Sequence, residues 1–208
     1  MSQAHVAKAQ PKAVPVKKRI EQTFNLPNTL TFLRILLVPV YIGLFSTPTV
    51  ERSIFAAAVF GLAALTDLLD GYIARQRAQV TKVGRLFDPI ADKFLVISGL
   101  VLLVQFQRIE AWLAIALIVR DLAVTGIRAV AASRGLIIAA GILGKYKVVL
   151  QIIAIILLTL EGAVSISMLN LHLVGTSTLY VALIFSLVSA GQYVLEAWNE
   201  FSKKGGNS

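Results

Sequence analysis

Apolar runs recur along the chain at roughly residues 30–46, 53–74, 94–107, 111–132, 146–160 and 173–197. Each extends to about 20 residues once polar residues facing a bundle interior are counted. Inside lipid only helices and closed barrels satisfy every backbone N–H and C=O group, and single runs of this length are the helical solution. The chain is therefore expected to be an all-α integral membrane protein with six transmembrane helices. The third and fifth runs have the shortest uninterrupted apolar cores, a length at which a re-entrant segment competes with a full span. Composition agrees: 57% of residues are hydrophobic and 15% charged, and the mean hydropathy of +0.77 excludes an ordinary soluble domain.

The net charge of +9 is not spread evenly. Lys8, Lys12, Lys17, Lys18 and Arg19 precede the first run; Arg75, Arg77, Lys82 and Arg85 surround the second connection; Arg134, Lys145 and Lys147 surround the fourth; Lys203 and Lys204 follow the last. The opposite connections carry only Arg52 and Arg108. By the positive-inside rule both termini are expected in the cytoplasm. Because the basic residues follow topology, a nucleic-acid patch is set aside and no nucleic-acid partner is expected. The N-terminal stretch has no apolar core before a small-residue cleavage site, so it does not read as a signal peptide. Residues 1–15 read as a disordered tail. Residues 16–25 read as a short amphipathic interfacial helix, with Val16, Ile20 and Phe24 every four residues beside a basic cluster, a solvated lead-in being the alternative. The six-helix domain is expected over 26–200, with a tail over 201–208. The chain has no cysteine, which removes disulfides and thiol nucleophiles from consideration.

The stretch DLLDGYIARQRAQVTKVGRLFDPIAD, residues 67–92, places four carboxylates between two apolar runs. Asp67 and Asp70 are three residues apart and Asp88 and Asp92 four apart, so each pair shares a helical face. Pro89 is expected in the first turn of the third helix, where proline is tolerated, which sets Asp88 near the helix start. Four carboxylates in one pocket repel strongly at low dielectric, and no matching set of four basic residues stands nearby. Two Mg²⁺ ions would balance them, and all-oxygen ligation favours a hard ion over zinc or copper. Two metal ions about 4 Å apart also suit an in-line phosphoryl displacement. Structural pairing with Arg75, Arg85 and Lys93 is the plain alternative. A cation channel or transporter is another, although here the charges cluster at one face instead of lining a path.

The pattern Asp67-x2-Asp70-Gly71-x2-Ala74-Arg75-x8-Gly84-x3-Asp88-x3-Asp92 resembles the signature of the CDP-alcohol phosphotransferase family at all eight positions. The resemblance implies a six-helix fold, usually a homodimer, in which an alcohol hydroxyl displaces CMP from a CDP-linked substrate with the help of two divalent cations, Mg²⁺ or Mn²⁺. It implies that Asp67, Asp70 and Asp88 are metal ligands, and that Asp92 combines metal contact with the role of general base. CDP-diacylglycerol would be bound by Asp67, Asp70, Gly71, Ala74, Arg75 and Gly84, with Arg75 at the pyrophosphate. A guanidinium fork suits phosphate and small residues admit a flat base, whereas a snorkelling role is the alternative for Arg75.

Outside the signature, Arg34, Arg120, Arg128 and Lys145 are basic residues in or near apolar helices, where each needs an anionic partner. Arg120 and Asp121 are neighbours, but adjacent residues do not share a helix face, so each is expected to find its own partner. A cluster of Arg34, Arg128 and Lys145, with Arg120, could hold a phosphate carried by the acceptor alcohol; lipid headgroup contact is the alternative. The blocks Asn25-x2-Asn28-x2-Thr31-x2-Arg34, Arg120-Asp121-x6-Arg128 and Gly144-Lys145-x-Lys147-x3-Gln151 are similar to the branch of the family that uses sn-glycerol 3-phosphate, over about residues 24–160. They depart from it at Val119-Arg120-Asp121, where that branch carries Gly-Arg-Glu. The resemblance thus implies transfer of a phosphatidyl group to glycerol 3-phosphate at the cytoplasmic face of a bacterial inner membrane, among membrane lipids. Beyond Gln151, His172, Tyr180, Tyr193, Glu196 and Trp198 read as interface or packing residues.

Overall fold

The computed structural model describes the backbone of residues 26–77, 82–133, 141–164 and 170–205, and the side chains of these apart from 26–31, 67–92, 197 and 199–205. The expected tail over 1–15 and interfacial helix over 16–25 lie outside the described residues. Among the described residues six helices follow one another: α1 Leu26–Phe45, α2 Val50–Arg77, α3 Lys82–Gln105, α4 Ala111–Ser133, α5 Ile142–Thr159 and α6 Leu171–Gly205. No strand interrupts them among the described residues. Each expected apolar run falls largely within one helix, the third in the C-terminal half of α3. The third and fifth, the shortest in apolar core, form α3 of 24 residues and α5 of 18.

Helix ends show where local cues mislead. α3 begins at Lys82, so Pro89 lies in its interior and not in its first turn. The missing proline N–H leaves the Arg85 carbonyl without its helical donor. Asp88 and Asp92 accordingly stand in the second and third turns of an established helix. α6 continues to Gly205 through the segment read as a tail from 201, because AWNEFSKK contains no helix breaker. Pro39 sits inside α1, where it removes the donor to the Ile35 carbonyl.

The surface is apolar where a soluble protein's would be polar, and the mainly apolar interior also holds several polar groups. Phe32, Leu36, Phe55, Ile115, Val119, Leu122, Ile184 and Leu195 are exposed, while Arg34, Asp121, Lys147, Gln151, Ser186 and Ser189 are buried. Such an apolar exterior needs lipid, or another apolar phase, against it. α5 and residues Leu171–Glu196 of α6 are long and apolar enough to cross a membrane. α2, with 28 residues, is about 42 Å long at 1.5 Å per residue. It therefore outruns a hydrocarbon core of about 30 Å. Asp67 and Asp70 lie in its last third, where the excess length can reach the aqueous boundary.

α5 packs most extensively on α6, and α1 on α2 and α3; α4 rests on α6. The far end of the bundle is closed by aromatic rings: Tyr41 stacks on Phe45 at 5.8 Å between centroids and tilts against Phe60 at 5.1 Å, and Phe106 meets Phe45 edge-on at 5.3 Å. Arg108 lies 5.1 Å over the Phe45 ring and donates to the carbonyls of Leu158 and Thr159 at 2.5 and 2.9 Å. Those carbonyls end α5, so the cation satisfies acceptors that the helix cannot. The Tyr41 hydroxyl and Thr159 hydroxyl are 3.3 Å apart.

Small residues permit these close approaches. At Gly175 an added Cβ would stand 2.7 Å from Leu158 Cγ and 2.9 Å from its Cδ2, and Leu158 is itself fully buried. Gly175→Ala should destabilise the bundle by about 1–3 kcal/mol through overpacking. Gly126→Ala on α4, with nothing within 4 Å of the new Cβ, should be neutral or stabilising. Melting temperatures of both variants in one detergent check this; equal melting temperatures would mean that the α5–α6 contact is not tight.

Candidate active site

The signature residues occupy two consecutive helices. Asp67, Asp70, Gly71, Ala74 and Arg75 lie in the last third of α2; Gly84, Asp88 and Asp92 lie in the first half of α3. The helical backbone keeps the two aspartate pairs at one-turn spacing, as a shared face for each pair requires. The side chains from 67 to 92 lie outside the described residues. The first described side chain after them is Lys93, next to Asp92, and it opens onto a cavity.

That cavity, of about 390 Å³, is lined by Lys93 from α3, by Arg120, Asp121, Thr125 and Arg128 from α4, and by Lys145 and Lys147 from α5. Val124, Gly144, Val148, Val149 and Tyr193 complete the lining. Among the described residues, five cationic side chains against one carboxylate leave four formal positive charges in this lining. In a low-dielectric setting such a surplus attracts an anion strongly.

The lining has an ordered interior and a solvated mouth. Lys147, a side chain only 3% exposed, contacts Asp121 Oδ2 through Nζ at 2.5 Å. Arg120 Nη1 donates to Asp121 Oδ1 at 3.1 Å, and Lys93 Nζ is 3.9 Å from Asp121 Oδ2. Asp121 thereby joins α3, α4 and α5. Arg120 Nε donates to the Ser186 carbonyl at 2.6 Å, which ties α4 to α6. Its Nη2 is buried and has no hydrogen-bond partner among the described residues. Arg128 and Lys145 are exposed. The Gly141 amide, at the start of α5, donates to the Tyr193 hydroxyl at 3.1 Å. A Cβ at Gly144 would meet Ser189 Oγ at 3.4 Å and Tyr193 Oη at 3.6 Å. Gly144 thus lines the cavity with backbone alone.

The structure brings Arg120, Arg128 and Lys145 together, as the acceptor cluster requires. It does not bring Arg34 to them. Arg34 is fully buried on α1, which packs on α2 and α3, and it is absent from the cavity lining. Residues four elements apart in sequence could not be grouped by hydropathy. The expectation that Arg120 and Asp121 seek separate partners is also corrected. Adjacency separates their Cβ directions, but an arginine is long enough to wrap back to a neighbouring carboxylate. Lys147 and Tyr193 were not singled out for the site. A buried Asp121 in an apolar helix demands a buried cation, and that demand points to Lys147. Nothing local marks Tyr193, whose partner Gly141 is 52 residues away.

Comparison with known proteins identifies the family. Residues 24–194 match the family model described as CDP-alcohol phosphatidyltransferase. The CDP-diacylglycerol–glycerol-3-phosphate 3-phosphatidyltransferase of Bacillus subtilis is 38% identical over 191 residues, covering 84% of this chain and 96% of its own. The protein of the same name from Wigglesworthia glossinidia brevipalpis is 32% identical, over 85% of this chain and 96% of its own. That of Rickettsia typhi is 34% identical, over 81% and 94%. A match across most of the chain shows that the protein belongs to the CDP-alcohol phosphatidyltransferase family.

Proposed function

We propose that this enzyme transfers the phosphatidyl group of CDP-diacylglycerol to the 1-hydroxyl of sn-glycerol 3-phosphate, giving phosphatidylglycerophosphate and CMP. The observation that carries the acceptor is the cavity beside Lys93, whose five cations suit a phosphomonoester. An uncharged acceptor such as inositol would leave them without a counter-charge. The names of the relatives, over most of the chain's length, support the same donor and acceptor.

In this reading the acyl tails of the donor remain in lipid, and its nucleotide lies against α2 and α3 near Gly71, Ala74 and Gly84. Arg75 holds the pyrophosphate with Asp67 and Asp70 on the donor side. The donor set fits hard cations: four aspartates, all oxygen, and no His or Cys in residues 67–92. Asp67, Asp70, Asp88 and Asp92 would hold two Mg²⁺ or Mn²⁺ ions, which when bound offset negative charge on the phosphoryl oxygens. Arg120, Arg128, Lys145 and Lys147 fix the acceptor's phosphate, turning its far hydroxyl toward Asp92. Asp92 takes the hydroxyl proton as that oxygen bonds to the phosphorus bearing diacylglycerol. The bond from that phosphorus to the bridging oxygen of the pyrophosphate breaks, and CMP leaves. The enzyme acts at the cytoplasmic face of a bacterial inner membrane as a six-span homodimer with both termini in the cytoplasm. The basic connections support this orientation.

The direct test supplies purified protein and CDP-diacylglycerol with glycerol 3-phosphate, serine, inositol phosphate or phosphatidylglycerol in turn. Lipid product should form with glycerol 3-phosphate alone and vanish in excess EDTA, returning with Mg²⁺ or Mn²⁺. A product with another acceptor instead would overturn the acceptor; full turnover in EDTA would overturn the metal ligands.

Asp92→Asn should lower turnover by about a hundredfold or more, the usual contribution of a positioned base, while the folded protein still binds CDP-diacylglycerol. A smaller loss, with Asp88→Asn behaving alike, would remove Asp92 from the base role.

Arg128→Gln and Lys145→Gln each remove a charge-assisted hydrogen bond of about 1.5–3 kcal/mol. The expected loss in kcat/KM for glycerol 3-phosphate is about ten- to hundredfold, with the KM for CDP-diacylglycerol nearly constant. Equal changes in both KM values would show that these residues serve the fold or lipid headgroups.

A further inference from the structure

Asp121 faces the same cavity as the five cations but has the wrong sign for an anion subsite. A carboxylate beside a phosphate weakens its binding by repulsion, so its presence calls for another role. Its contacts supply one. Lys93, Arg120 and Lys147, from three different helices, converge on a carboxylate whose side chain is 8% exposed, at 3.9, 3.1 and 2.5 Å. The cavity's other two cations, Arg128 and Lys145, are exposed. Three cations crowded at low dielectric would otherwise splay apart, and Lys147 would be buried with no partner.

We infer that Asp121 is a positioning residue for the acceptor's phosphate: a resident counter-ion that keeps Lys93, Arg120 and Lys147 gathered before the acceptor arrives. The inference rests on the functional reading above. Its physical content is preorganisation. Donors already aimed and desolvated lose little freedom when the anion enters, and this gain exceeds the repulsion from one carboxylate shared among three cations. Arg120 carries the clearest consequence. With Nε on the Ser186 carbonyl and Nη1 on Asp121, the guanidinium plane is fixed from two sides. Nη2 remains buried without a hydrogen-bond partner among the described residues, the donor left over for a ligand.

Asp121→Asn keeps the shape and removes the charge; Asp121→Glu keeps the charge. In Asp121→Asn the KM for glycerol 3-phosphate should rise about ten- to hundredfold, the effect of misplacing one charge-assisted donor. The KM for CDP-diacylglycerol should hold, inhibition by inorganic phosphate should weaken in parallel, and Asp121→Glu should restore both. A merely structural carboxylate would move both KM values together and leave phosphate inhibition in step with activity. Unchanged acceptor KM in Asp121→Asn, or a donor KM that rises equally, overturns the inference. Should Asp121→Asn not fold, Asp121→Ser, which leaves room for a water beside Lys147, is measured in the same way. Loss of folded protein in both means that the carboxylate holds the bundle instead, and overturns it as well. Arg128→Gln and Lys145→Gln separate the two levels. An acceptor effect there with none in Asp121→Asn sinks this inference alone, whereas no acceptor effect in any variant sinks the functional reading.

Discussion

A charge inside hydrocarbon must be matched by an opposite charge or carried to water, and this constraint orders the bundle. At its far end Arg108 is matched by the ring of Phe45 and the final carbonyls of α5. Apart from Arg34, buried on α1, the charges described inside the bundle collect on α3, α4 and α5 around one cavity. There Asp121 matches three cations at once, and the surplus lies at the exposed mouth. Between the two ends the described core is mainly apolar, with glycines where helices touch.

The same constraint explains what the sequence made legible. Six apolar runs became six helices because lipid leaves the backbone no alternative. The aspartate signature was readable because helical spacing is a local property: three and four residues are one turn wherever the helix lies. Pro89 misled because proline usually marks a helix start, and α3 keeps it in the interior. α6 outlasted its apolar run because hydropathy reports the lipid boundary and not the helix boundary.

Long-range geometry was less accessible. Arg128 and Lys145, grouped because each is a basic residue beside an apolar run, line one cavity. Arg34, chosen on the same ground, lies on α1, which packs on α2 and α3, and is absent from the described lining. Lys147 and Tyr193 became visible only through their partners, Asp121 across 26 residues and Gly141 across 52. A cation's sequence position states its cost in the bilayer, but the packing of other helices decides which anion repays it.

In the proposed reaction the phosphate gripped by the cavity is a bystander: it enters on the acceptor and departs, chemically untouched, on the lipid product. The lining that captures one therefore also detains the other. With Lys147 and Arg120 deep inside and Arg128 and Lys145 at the mouth, the product headgroup must leave by exchanging buried donors for solvated ones. The exposed pair then works as an exit ramp as much as an entrance. Turnover in such a site is governed by how readily the anion can be handed back to water, a step on which ionic strength acts directly.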